Sequence, residues 1–212
     1  MYRRAQFLSA EYCGYKRLLS IDPQSKDYYK KHLIWYHGTT WSNAESVVKN
    51  GIIPNWNIIT LKDFGPAFYL TSNRAQAIRW ARLTSFRHRK TVMAQEDVIP
   101  ALLKIKIKTA VLLTTRSQEF AYADERWARE ILINRTSLSN SRKFEVEYGP
   151  VADGRINRAL LRYQQSQNLQ AFRAAISNSL FDQQYDQLAV ISSRICSQLD
   201  IVSVQKLGKG DF

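Results

Sequence analysis

Short apolar runs separated by amphipathic stretches predict an α+β domain. Three observations carry that reading: strand-like runs such as Leu33-Ile34-Trp35-Tyr36, turn pairs such as Asn50-Gly51 and Gly65-Pro66, and stripes of helical period between them. With 212 residues, 45% of them hydrophobic and 23% charged, the chain can bury one sizeable core and is far from disordered composition. The sequence shows no repeat, low-complexity tract or Pro/Gly-rich linker that would force a boundary.

The elements follow in order. Residues 1–32 read as a helical extension, rich in Tyr12, Tyr15, Lys16, Arg17, Tyr28, Tyr29, Lys30 and Lys31 and broken into two short helices by Ile21-Asp22-Pro23. Basic residues interleaved with aromatics hold phosphates and stack bases, and an amphipathic cap packed on a core has the same pattern. Residues 33–212 read as the main domain. Its first strand ends at His37-Gly38-Thr39-Thr40, where Gly38 permits a turn or the close approach of a ligand. A helix follows, capped by Ser42 or Asn43, striped by Ala44, Val47 and Val48, and stopped at Asn50-Gly51. Asp63-Phe64-Gly65-Pro66 turns the chain into the strand Ala67-Phe68-Tyr69-Leu70. Ser72 or Asn73 then opens a helix through Ala75, Ala77, Ile78, Trp80 and Ala81.

The alternation in residues 101–107 suits a half-buried strand, and Ala110-Val111-Leu112-Leu113 reads as its continuation or neighbour. A helix is expected around residues 124–132, a strand closed by proline over 144–152, one or two helices over 155–177, and final strands at 187–192 and 201–206.

Charge narrows the partners. Lys and Arg number 31 against 18 Asp and Glu, a net charge of +13. Cations that neutralise phosphates release condensed counterions, which makes nucleic acid the first expectation. Solubility, or an acidic protein partner, would account for the same charge. No apolar run nears the roughly 20 residues that span a bilayer, and no signal-peptide stretch follows Met1, so a soluble cytoplasmic protein with no membrane partner is expected. Cys13 and Cys196 offer neither a disulfide framework nor metal-ligand spacing, and no metal is expected.

His37 after an apolar strand is ordinarily structural, and so is Tyr69 at the end of another. In combination they mean more. Trp35-Tyr36-His37-Gly38-Thr39, Asn50-Gly51-Ile52, residues 63–71 and Ala75-Gln76-Ala77-Ile78-Arg79-Trp80-Ala81 together resemble the amino half of the ADP-ribosyltransferase fold. The branch they resemble is the His-Tyr-acid one, shared by diphtheria-type toxins and poly-ADP-ribose polymerases. The carboxyl half resembles a compact bacterial family of that superfamily, of toxin or defence type. Its landmarks are an aromatic-led helix ending in Asn134-Arg135, the turn Gly149-Pro150-Val151-Ala152-Asp153, and a late Asp186-Gln187 strand.

The resemblance, which runs from about residue 33 to 207, implies mixed short-stranded sheets around an NAD cleft and transfer of ADP-ribose from NAD as co-substrate. His37, Tyr69 and Gln187 would be the catalytic set, and His37, Gly38, Thr39, Tyr69 and Arg79 would bind the cofactor. His37 would bond a hydroxyl of the adenosine ribose, Gly38 would present backbone groups to the nicotinamide amide, and Tyr69 would stack on the nicotinamide ring. Gln187 would hold the 2′-hydroxyl of the nicotinamide ribose. The superfamily usually has Glu there, so Gln187 departs from the pattern and offers a dipole in place of a charge. Glu130, Glu145, Glu147, Asp153 and Asp186 are the acids that could supply charge instead; Asp186 adjoins Gln187 but points to the other face of a strand. Arg74, Arg79 and Arg82 would reach a pyrophosphate or an acceptor phosphate, with Arg79 first among them; a solvated Arg-rich face is the alternative.

The acceptor expected from charge is nucleic acid, single-stranded RNA ahead of DNA. A protein side chain, or an inactive fold that binds ADP-ribose or nucleic acid, are the alternatives. A toxin or antiphage role, with an antitoxin protein as partner, is implied by the resemblance alone.

Overall fold

The computed structural model describes residues 28–54, 61–91, 98–136, 143–152, 155–177 and 185–211. In chain order the elements are α1 (Tyr28–Lys31), β1 (Ile34–Thr40), α2 (Trp41–Asn50), β2 (Phe68–Leu70), α3 (Arg74–Thr91), β3 (Pro100–Lys106), α4 (Thr109–Leu113) and β4 (Ser117–Glu119). They continue with α5 (Glu125–Thr136), β5 (Val146–Pro150), α6 (Ile156–Ser166), α7 (Leu169–Ile176), β6 (Asp186–Val190), α8 (Ser193–Cys196) and β7 (Asp200–Lys206). The strands form a sheet of order β1-β3-β7 and a second of order β2-β6-β5-β4. The architecture is α+β. All pairings are antiparallel except β4 with β5.

The two sheets touch at one backbone bridge, where Tyr36 and Thr71 exchange N–H to carbonyl bonds of 2.9 Å in both directions. Trp35, Leu103 and Ile105 of the first sheet share a core with Phe68, Leu70, Tyr148, Leu188 and Val190 of the second. A second cluster packs α5, α6 and α7 beside Ala189 and Tyr69, and a third packs Ala77, Ile78 and Ala81 of α3 against Tyr36 and Leu102. Strand β6 is buried at all five positions, because both of its faces are covered.

Local chemistry sets the ends of the elements. Thr40 caps α2, its hydroxyl accepting from the Asn43 N–H at 3.4 Å, so the cap lies before the expected Ser42 or Asn43. Gly51 ends that helix at φ 80°, a conformation open to glycine. Asn73 caps α3 through the Gln76 N–H at 3.0 Å. The stretch Ala110-Val111-Leu112-Leu113 is helical and not a strand; Val111 and Leu112 are buried while Ala110 and Leu113 are exposed, a burial pattern that one helical turn satisfies.

The end of the expected extension is packed into the core. Tyr28 and Tyr29 are 3% and 1% exposed, and Tyr29 stacks on Tyr148 at 5.3 Å. These two aromatics therefore hold the domain together and cannot stack bases. Tyr12, Cys13, Tyr15, Lys16 and Arg17 lie outside the described residues.

Candidate active site at the split between the sheets

Past the Tyr36 and Thr71 bridge the two strands diverge, and His37 is the first residue of β1 beyond it. Its Nδ1 lies 2.7 Å from the backbone oxygen of Tyr69. A carbonyl only accepts, so Nδ1 carries the proton and Nε2 is left as an acceptor. The imidazole stacks on Phe68, with centroids 4.4 Å apart and planes 25° from parallel. Burial pulls its pKa down to about 4, and Lys62 adds to the effect against the bond to the Tyr69 carbonyl. At neutral pH the ring is therefore an uncharged acceptor in a fixed orientation.

Tyr69 faces the other side of β2. Its hydroxyl donates to the Gly65 carbonyl at 2.7 Å and accepts from the Phe64 N–H at 3.0 Å. The turn is possible because Gly65 adopts φ 70°. These bonds pin the ring. The Lys62 ammonium sits 5.5 Å from the ring centroid, within cation–π range, and burial together with Arg135 lowers its pKa. Burial and then Asp63 push the Tyr69 phenol well above its ordinary range.

Gln187 lies on the same sheet face as Ala189, which is the register partner of both Tyr69 and Glu147. It is buried, and its Nε2 donates to Asp63 Oδ2 at 2.8 Å and to the Pro150 carbonyl at 3.1 Å. Asp63 is the hub of this corner. Its Oδ2 also accepts from the Ala152 N–H at 3.0 Å, and its Oδ1 takes Arg135 Nη2 at 2.6 Å and Nε at 3.2 Å. Trp127 Nε1 reaches the same Pro150 carbonyl at 2.9 Å. Thus α5, the turn after β5, and β6 all converge on one carboxylate.

The other candidate residues are placed as follows. Asp186 points to the opposite face, where its carboxylate accepts from the Thr71 hydroxyl at 2.5 Å, the Ser72 N–H at 3.0 Å and the Tyr148 hydroxyl at 3.2 Å. It ties the sheet bridge together and lies away from the Gln187 face. Glu145 binds Arg194 and the Arg116 N–H, Glu130 binds Asn134, and Asp153 lies outside the described residues. Of these acids, Glu147 is the one in register with Tyr69, and it is 6% exposed. Thr39 accepts from the Asn43 side chain at 3.3 Å. Arg79 stands on the exposed face of α3, with Nη1 3.4 Å from the Tyr185 hydroxyl. Gly38 is part of β1 and makes no turn; a Cβ built on it would meet the Ala77 carbonyl oxygen of α3 at 1.9 Å. The glycine admits a helix.

Sequence reasoning left three neighbours without roles: Lys62 beside Tyr69, Asp63, which it read only as part of a turn, and Arg135, which it read only as a landmark. The signal for the last two was there, since each sits in a stretch that carried the resemblance.

A family model described as a protein of unknown function (DUF3990) matches residues 33–201. The chain belongs to this family. The DUF3990 span takes in His37, Lys62, Asp63, Tyr69, Arg135 and Gln187. No curated protein and no solved structure matches the chain.

Proposed function

We propose that this DUF3990 protein is an NAD-dependent ADP-ribosyltransferase acting on nucleic acid, with single-stranded RNA preferred to DNA. The observation that carries the reading is the acceptor set at the split between the sheets. Neutral His37, stacked on buried Phe68, presents Nε2, and on the sheet face opposite Phe68, Tyr69 offers a ring and Gln187 an amide oxygen. Two fixed acceptors beside apolar rings suit a ligand that is rich in hydroxyls and carries a flat base, and NAD is such a ligand.

In the reaction the bond between ribose C1′ and the nicotinamide nitrogen breaks, and nicotinamide leaves with the electron pair. A lone pair of the acceptor forms the new bond to C1′, and the acceptor proton passes to solvent. Positive charge develops on the ribose, so orientation and electrostatics dominate the catalysis. His37 holds a ribose hydroxyl, Tyr69 offers its ring to nicotinamide, and Gln187 accepts from the 2′-hydroxyl. Lys62, 5.5 Å from the Tyr69 ring centroid, is a cation that could meet a diphosphate.

Helix α3 supports a polyanionic acceptor. Its 18 residues include five arginines and one lysine and no acid, and its exposed side chains include Trp80, Phe86, Arg87 and Arg89. The Arg87 guanidinium lies 5.7 Å from the Trp80 ring centre. Exposed rings among cations fit unstacked bases and their phosphates, and stacking contributes about 1–3 kcal/mol per base. Among the described residues no helix is long and apolar enough to cross a membrane. The proposed setting is the cytoplasm, as a toxin or antiphage effector restrained by an antitoxin protein.

The deciding experiment incubates the purified protein with labelled NAD and separate pools of RNA, DNA and cell protein. Label on RNA at low salt, lost in His37→Ala and Tyr69→Ala and reduced at least roughly tenfold in Gln187→Ala, is expected. Label on protein alone moves the acceptor to a side chain. NAD binding without consumption makes the chain an inactive binding module, a reading that the uncharged Gln187 favours.

A further inference from the structure

We infer that Asp63 is a positioning residue that turns Gln187 into a pure hydrogen-bond acceptor, so that an amide takes the place of a carboxylate at the ribose. The inference rests on the transferase reading above. A glutamine side chain has a donor end and an acceptor end, and either can face a ligand. Here the choice is forced. The two groups against its inner end, Asp63 Oδ2 at 2.8 Å and the Pro150 carbonyl at 3.1 Å, both accept and cannot donate. Nε2 must face them, and its two hydrogens are both used. Oε1 is the end that meets a ligand.

Asp63 is itself immobile. It is 4% exposed, its Oδ1 is gripped by two nitrogens of Arg135, and its Oδ2 takes the Ala152 N–H. Arg135 is held in turn by the Leu61 carbonyl at 2.6 Å. The carboxylate and guanidinium charges offset one another, while the anion lies against the amide N–H. A charge-assisted bond in low-dielectric surroundings polarises the amide, moving electron density from nitrogen toward Oε1. The oxygen that would accept from the 2′-hydroxyl therefore carries more negative charge than a solvated glutamine's, and nearer that of the usual glutamate.

The test is an exchange of the pair. Asp63→Asn, Gln187→Glu and the double variant D63N/Q187E are compared with wild type for kcat, for KM of NAD, for transfer to RNA and for thermal stability. D63N alone is expected to lower kcat at least tenfold with KM changed less than threefold, because the amide loses the anion that polarises it and residue 63 loses its ion pair with Arg135. Q187E alone sets two carboxylates against each other, so they share a proton and activity becomes pH-dependent. In D63N/Q187E the glutamate faces the Pro150 carbonyl, which cannot donate, and an asparagine nitrogen turned toward it would face the Ala152 N–H, so kcat should stay at least tenfold below wild type. If wild type consumes NAD and D63N keeps wild-type kcat, or D63N/Q187E restores it, the positioning role is overturned and the transferase reading stands. If wild type neither binds nor consumes NAD, the transferase reading falls and this role falls with it. Should D63N fail to fold, the Gln187 side-chain amide decides by NMR on wild type. Two inequivalent, exchange-protected N–H signals are expected, and a freely exchanging pair overturns the proposal.

Discussion

Replacing Gly38 by alanine would place a methyl group 1.9 Å from the Ala77 carbonyl oxygen and 2.8 Å from both the Ala77 carbonyl carbon and the Ala81 nitrogen. All three atoms are backbone, so no rotamer change relieves the contact. Ordinary contact requires at least about 3 Å, which means that α3 must withdraw from β1 by more than about 1 Å. The helix cannot do so without loosening Ala77, Ile78 and Ala81, which are buried against Tyr36 and Leu102. Overpacking of this kind costs about 1–3 kcal/mol, and a clash with rigid backbone belongs at the upper end. For a domain of this size a loss of about 3 kcal/mol lowers Tm by roughly 6–12 °C. Urea unfolding followed by tryptophan fluorescence, with the slope m unchanged, measures it. A loss below about 0.5 kcal/mol would refute the packing argument. So would a variant of normal stability that had lost only NAD affinity, because the glycine would then serve the ligand.

Three further outcomes follow from the site. His37 has a folded-state pKa depressed to about 4 against an ordinary 6.5, so its neutral form stabilises the fold above pH 6.5 and that contribution is lost as pH falls toward 4. NAD affinity should follow the lower value, staying level down to about pH 5 and then falling; a midpoint near 6.5 in a pH titration would show that the imidazole is solvated. Tyr69→Phe keeps the ring but strands the Phe64 N–H and the Gly65 carbonyl, so it should cost about 1–3 kcal/mol of stability with little change in kcat; a fall in kcat at unchanged stability would give the hydroxyl a chemical part. On α3, Arg87→Glu and Trp80→Ala should weaken RNA binding while NAD affinity holds, and the arginine variant alone should flatten the salt dependence, as fluorescence anisotropy at several salt concentrations would show.

Most of the fold was legible because its signals are local. Asn50-Gly51, read as a helix stop, and Asp63-Phe64-Gly65-Pro66, read as a turn, hold the two positive-φ glycines among the described residues, and the strands at β1, β3 and β7 each carry an apolar run. The errors came where tertiary contacts decide. Residues 110–113 are too short for periodicity to separate helix from strand, and β4, whose three residues Ser117, Gln118 and Glu119 are half-buried and polar, forms only because β5 lies beside it. Gly38 read as a turn or a point of close ligand approach because sequence cannot show a helix pressing on a strand. The site divides in the same way. His37, Tyr69 and Gln187 were named as candidates through their motifs, and the opposed faces of Asp186 and Gln187 followed from strand geometry. The partnership of Asp63 with Arg135 was not visible, because nothing in either residue's own neighbourhood names the other.

The bonds that meet at Asp63 join residues 72, 89 and 124 positions apart in the chain. Closing such loops costs entropy before any contact repays it, and each doubling of length adds about 0.6 kcal/mol. The corner that orients Gln187 therefore needs α5, the turn after β5, and β6 all in place. Opening α5 alone would take Arg135 from Asp63 and leave the partner of Gln187 less firmly held, while the bond from His37 to the Tyr69 carbonyl involves no residue of α5.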